Sequence, residues 1–313
     1  MSTPALVMQP GLPPEVRRVR GYFAPVNRIT ATPTAFDPTT AAAFDPDTPP
    51  APWMDLGWID GFTRASETKL QVVESGAPGT VLLQGRQSVG ATVSMTFERW
   101  SKLTMALACG AQQTNVLKAG ANPVAITAAS STATFLSTPN GAGTIQAGDM
   151  IAVDMDYTGQ TGYVGAGASA AYLATAIISG DLHWIRRMTL NVGRVTAVTA
   201  TGLQLAEPLL AGVPAQGMQA QSMVALQDRE GGTFFQEWSG LFCMQGEQGD
   251  ALFFYYPRLQ TMAGPAETAV TITAPLSQVL LNGRFVALPV LDPMDGSQVC
   301  CYRTYLPCAN AQV

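Results

Sequence analysis

Between residues 91 and 98 the chain alternates strictly. Ala91, Val93, Met95 and Phe97 fall on one side, and Thr92, Ser94, Thr96 and Glu98 on the other. A period of two predicts a strand with one buried and one polar face. From Trp100 the period changes. Apolar residues recur at Trp100, Leu103, Leu107 and Ala111, one stripe of a short amphipathic helix, and Gly110 can end it in a left-handed residue. A half-buried strand therefore leads into a helix whose stripe covers Val93, Met95 and Phe97. Upstream, residues 69–74 form a second β-like run with Leu70 and Val72 on one side, followed by a turn at 75–79.

Further strands are predicted downstream. In 150–157, Ile151, Val153, Met155 and Tyr157 alternate with Asp154 and Asp156, and short runs follow at 188–192, 195–198 and 203–205. Residues 252–256 are apolar at every position, as in a strand buried on both faces or lying at an interface. Residues 270–273 alternate. Asn282-Gly283 between apolar runs predicts a hairpin with a type I′ turn. With helix signals confined to 100–111, the fold class is mainly β: a sandwich or barrel core with one short α-helix.

Changes in composition divide the chain. Residues 1–52 are rich in Pro and Thr and repeat Phe-Asp-Pro at 36–38 and 44–46. Proline lacks the backbone donor and fixes φ, so neither a continuous helix nor a central strand is expected there. This segment reads as an extended N-terminal arm. Arg17, Arg18, Arg20 and Arg28 make it basic, and Tyr22, Phe23, Phe36 and Phe44 suit packing on a neighbouring copy better than solvation. Residues 53–117 read as the first half of the core and 226–313 as the second. Residues 118–225 turn rich in Ala, Gly, Thr and Val and read as an inserted small β domain.

Charged residues are only 12% of the chain, about half the usual share, so much of the surface suits burial against partners. A net charge of −5 argues against gripping nucleic acid through its phosphates. No segment has the ~18–20 apolar residues of a membrane helix, and no secretory signal is visible. Five cysteines, an odd count, suggest no disulfide framework.

Candidate chemistry is sparse. The single histidine, His183, builds no metal pair or catalytic triad, and no Gly-x-Ser-x-Gly elbow exists. Residues 165–170 match Gly-x-Gly-x-x-Ala but lack the buried strand that a dinucleotide site needs. Cys300, Cys301 and Cys308 lack a fourth ligand, and strand alternation with one Cys pointing inward is the plainer reading. Asp149, Asp154 and Asp156 lack the spacing of a Ca²⁺ loop. The expectation is a protein that is not an enzyme, with no cofactor or metal.

The runs Asp55-Leu56-Gly57-Trp58-Ile59-Asp60-Gly61, Glu67-Thr68-Lys69-Leu70 and Phe97-Glu98-Arg99-Trp100-Ser101-Lys102-Leu103 resemble the opening of tail tube proteins of long-tailed bacteriophages. The runs Asp228-Arg229-Glu230-Gly231-Gly232-Thr233-Phe234-Phe235-Gln236-Glu237-Trp238 and Tyr255-Tyr256-Pro257-Arg258-Leu259-Gln260 are similar to their second half. The resemblance spans roughly half the chain and includes no catalytic motif. It implies two packed β-sheets with a helix at the side, subunits in stacked hexameric rings, and inner sheets joined into a lumen-lining barrel. The implied partners are further copies of the chain, other tail proteins at both ends, and double-stranded DNA passing without specific binding. The implied location is the virion tail, assembled in the host cytoplasm. A capsid decoration or head–tail connector protein is the alternative. The expected interface residues are Arg17, Arg18, Arg20, Tyr22, Phe23, Phe36, Phe44, Phe254 and Tyr256.

Overall fold

A computed structural model of the chain describes residues 16–26, 32–39, 44–50, 52–99, 101–109, 112–154, 191–209, 212–214, 216–229, 237–246, 249–262 and 281–307. It is mainly β, as expected. In chain order the elements begin β1 (Val16–Pro25), β2 (Met54–Ser66), β3 (Lys69–Ser75), β4 (Thr80–Ser88), β5 (Ala91–Phe97) and α1 (Lys102–Cys109). Next come β6 (Gln112–Leu117), β7 (Val124–Ala125), β8 (Phe135–Ser137), β9 (Met150–Asp154), β10 (Val192–Val198), β11 (Gly202–Leu205) and β12 (Gln219–Arg229). The chain continues through β13 (Glu237–Gly246), β14 (Ala251–Thr261), β15 (Leu281–Ala287), β16 (Val290–Leu291), β17 (Gln298–Val299) and β18 (Tyr302–Leu306).

Six strands close into an antiparallel barrel in the order β1-β2-β5-β15-β14-β13, with β13 returning to β1. Closure leaves these strands no open edge. The alternation of β5 holds: Ala91, Val93, Met95 and Phe97 are all buried in the core with Phe23, Leu56, Trp238, Phe242, Leu259 and Phe285. The helix follows as expected. Ser101 caps it reciprocally, its hydroxyl accepting from the Thr104 N–H at 3.1 Å while its own N–H donates to Thr104 Oγ1 at 2.8 Å. Leu107 is fully buried in the same core, and α1 packs on β15 and β14. Trp100 and Ala111 lie outside the described residues, as do the side chains of Leu103 and Lys102 and the run 270–273.

Two expectations fail here. Asn282-Gly283 makes no turn but lies within β15, which pairs with β5 from Leu281 opposite Phe97 to Ala287 opposite Ala91. The glycine serves close packing: a Cβ at 283 would come within 2.8 Å of the Phe285 ring and 2.9 Å of the Phe97 ring. Residues 1–52 are not a single extended arm. β1 is a barrel strand between β13 and β2, and Tyr22, Phe23 and Ala24 are fully buried. The prolines that argued against a strand flank this run, and only Pro25, at its end, falls within it.

A second sheet runs β6-β12-β9-β10-β11-β8, with β7 also on β12. It has its own core, including Leu136, Ile151, Val153, Val195, Leu203 and Ala220. Among the described residues no strand of this sheet pairs with the barrel. Val116 pairs with Ala225 and Asn115 with Leu226, so the β6–β12 ribbon joins the second sheet a few residues outside the expected 118–225.

Candidate functional site

The best-defined polar cluster sits on the outer face of β1 and β2. Gly57 has φ +81° at an irregularity in the β1–β2 register, where a Cβ would stand 2.8 Å from Arg99 Cδ. The Gly57 N–H donates to Asp55 Oδ1 at 2.8 Å. Arg20 then meets Asp55 with two bonds, Nε to Oδ1 at 2.9 Å and Nη2 to Oδ2 at 2.7 Å, and donates from Nη1 to Asp47 at 2.6 Å. Its guanidinium also lies 5.3 Å from the Trp58 ring centroid. The bond to Asp55 chiefly raises the pKa of Arg20. Burial opposes ionisation of Asp55, but hydrogen bonds from Arg20 and Gly57 outweigh it, so this carboxyl is held below its ordinary range.

Residues 32–39 and 44–50 lie as a strap over the same side of the barrel. Tyr255 donates from its hydroxyl to Thr34 O at 2.7 Å, and the Thr34 N–H donates to Ser239 Oγ at 2.9 Å. Tyr22 donates to Pro46 O at 3.0 Å. Phe36 stacks on Phe253 with centroids 5.4 Å apart, and Phe44 meets Tyr22 edge-on at 5.0 Å. The strap seals a second apolar cluster of Tyr22, Ala24, Trp53, Leu241, Phe253 and Tyr255.

These contacts correct the expected interface. Arg20, Tyr22, Phe23 and Tyr256 are buried within the chain itself, because β1 and β14 are barrel strands, and they are not free for a partner. Phe36 and Phe44 spend their contacts on the chain's own barrel. Phe254 packs partly buried against the core beside Phe62, at 6.0 Å. Arg18 stays exposed, 5.3 Å from the Trp58 ring centroid. The side chain of Arg17 lies outside the described residues.

The exposed apolar surface is elsewhere. Among the described residues, β3 and β4 pair only with each other, and they continue the β2–β5 ribbon beyond the barrel, with the Glu67 N–H donating to Gly90 O at 2.8 Å at the root. Every residue of both strands is exposed. Leu70, Val72 and Val73 on β3 are 55%, 44% and 49% accessible, and Val81, Leu82 and Leu83 on β4 are 61%, 67% and 65%. The expectation of Leu70 and Val72 on a single side misses Val73, which faces the other way. The adjacent apolar pairs in 72–73 and 81–83 are the signal that both faces of this hairpin are apolar.

Chemistry-bearing groups are few. Cys243, Cys300 and Cys301 are free thiols. Burial pushes Cys243 up to about 11 and raises Cys300 and Cys301 as well, so all three favour the protonated thiol. Among the described residues, no three His, Cys, Asp or Glu side chains are placed to hold a metal ion, and no helix is long and apolar enough to cross a membrane. His183, Cys308, Asp156, the run 165–170 and the side chain of Asp154 lie outside the described residues.

No protein-family model matches the chain, and no curated protein matches it either.

Proposed function

We propose that the chain is a structural subunit of a phage tail tube, stacking in hexameric rings around a channel for double-stranded DNA and performing no catalysis. The observation that carries this reading is the β3–β4 hairpin, apolar on both faces and exposed throughout. A two-stranded ribbon is marginal in water, and its open edges invite further strands. Apolar patches of this kind mark surfaces that other chains cover. The barrel strands close on one another, and the hairpin, whose apolar residues are exposed on both faces, keeps open edges that a shared wall could use. Tail tube geometry itself comes from the sequence resemblance, and low charge agrees with a chain that spends much of its surface on neighbours.

The test is assembly. In sedimentation velocity the intact chain is expected to form species of six or more copies. A Val72→Ser, Leu82→Ser, Leu83→Ser variant is expected to remain folded and monomeric. A monomeric intact chain, or a variant that assembles equally well, contradicts the reading.

A further inference from the structure

A cavity of about 500 Å³ opens where the β2–β5 ribbon leaves the barrel. Alternate residues of a strand share a face. Arg64 pairs with Val93 and Ser66 with Ala91, both buried, so this row continues the core-facing side of β2. It runs out through Thr68 and Leu70, which line the cavity with them. Arg86, the cross-strand partner of Leu70, adds a second guanidinium, and Arg303 of β18 adds a third. The cavity is thus the mouth of the barrel, a common place for small-molecule sites, and its volume is in the range such sites occupy.

Three of the 17 Lys and Arg residues share this mouth in a chain of net charge −5. Among the described residues that line it, none is Asp or Glu. Glu67 stands beside Gly90 at the rim, and among the described residues it makes no ion pair with the three arginines. Three like charges in one concavity repel, and the concave walls focus their field on whatever enters. A guanidinium fork fits phosphate oxygens with two parallel bonds.

We propose that the barrel mouth binds a small anion carrying two or more linked phosphate groups. A lone carboxylate carries one charge against three, whereas linked phosphates match the charge of the three guanidinium groups. A DNA duplex, a convex rod, meets only the rim. The site shares Leu70 and Arg86 with the β3–β4 hairpin, but anion binding does not require assembly of copies.

Calorimetric titration of the full chain with tripolyphosphate, at fixed ionic strength, tests it. Saturable binding of one equivalent is expected, and Arg86→Gln with Arg303→Gln weakens it about tenfold or more. Both side chains are exposed, so the ligand-free circular dichroism should not change. Should the double variant unfold, Arg86→Gln alone, on the exposed hairpin, decides by a loss of about threefold or more. Non-saturable binding, equal binding by the variants, or binding of a short duplex without binding of tripolyphosphate overturns the proposal.

Discussion

Asp55 shows how one carboxylate organises its surroundings. It accepts from Arg20 and from the Gly57 N–H, and its side chain is 19% accessible against 9% for Arg20. Its folded pKa lies below the unfolded value. Its contribution is therefore complete above about pH 4 and is lost as the pH falls through the folded value. Asp55→Asn should cost on the order of 2–4 kcal/mol at pH 7, since it removes the charge of the two-bond partner of a mostly buried guanidinium and leaves the exposed Asp47 as its remaining ion-pair partner among the described residues. Urea denaturation at pH 7 and at about pH 2.5 checks the sign: the gap between variant and parent should narrow in acid. An equal gap at both values would remove the ion pair from the account. Leu107 is a second such test. It is fully buried in the barrel core, so Leu107→Ala should cost on the order of 2–5 kcal/mol and appear as unfolded or aggregated subunits. An unchanged melting temperature together with lost assembly would make the helix stripe an interface.

The elements differ in how far local pattern reveals them. β5 was legible because one face is fully apolar while the other carries Thr92, Ser94 and Thr96, so period two survives in Ala91, Val93, Met95 and Phe97. β1 was not. It is covered on one face by the barrel core and on the other by the strap, so Tyr22-Phe23-Ala24 carries no period, and nearby prolines point away from a strand. Asn282-Gly283 misled because a glycine required by ring packing looks the same as one required by a turn. Arg20, Tyr22 and Phe23, expected at an interface, are buried in the chain itself for a related reason. Aromatic residues in a Pro-rich segment suit a neighbouring copy and the chain's own barrel equally well, and sequence does not tell the two apart. The second sheet makes an element-level prediction. Residues 117 and 226 belong to strands that pair, with Val116 opposite Ala225, so replacing 118–225 by a short Gly/Ser linker should leave a folded barrel. Retention of the near-ultraviolet circular dichroism of the buried Trp238 and Tyr256 would agree. Loss of cooperative unfolding would show that the barrel depends on that sheet.

The whole molecule depends on contacts that local pattern does not encode. The barrel closes by pairing Tyr22 with Leu241 and Phe97 with Leu281, partners remote in sequence. That closure changes how a tube would be built. The expectation of inner sheets joined from subunit to subunit requires open edges, and among the described residues the barrel strands keep none, while β3 and β4 do. Under the proposed function, copies of this chain are expected to meet through the hairpins, where Leu70, Val72, Val73, Val81, Leu82 and Leu83 are exposed beside open edges. The most direct test is negative-stain microscopy of the purified full chain. The account predicts rings or hollow tubes with sixfold end views. Monomers, or trimers that attach to capsids, would contradict it.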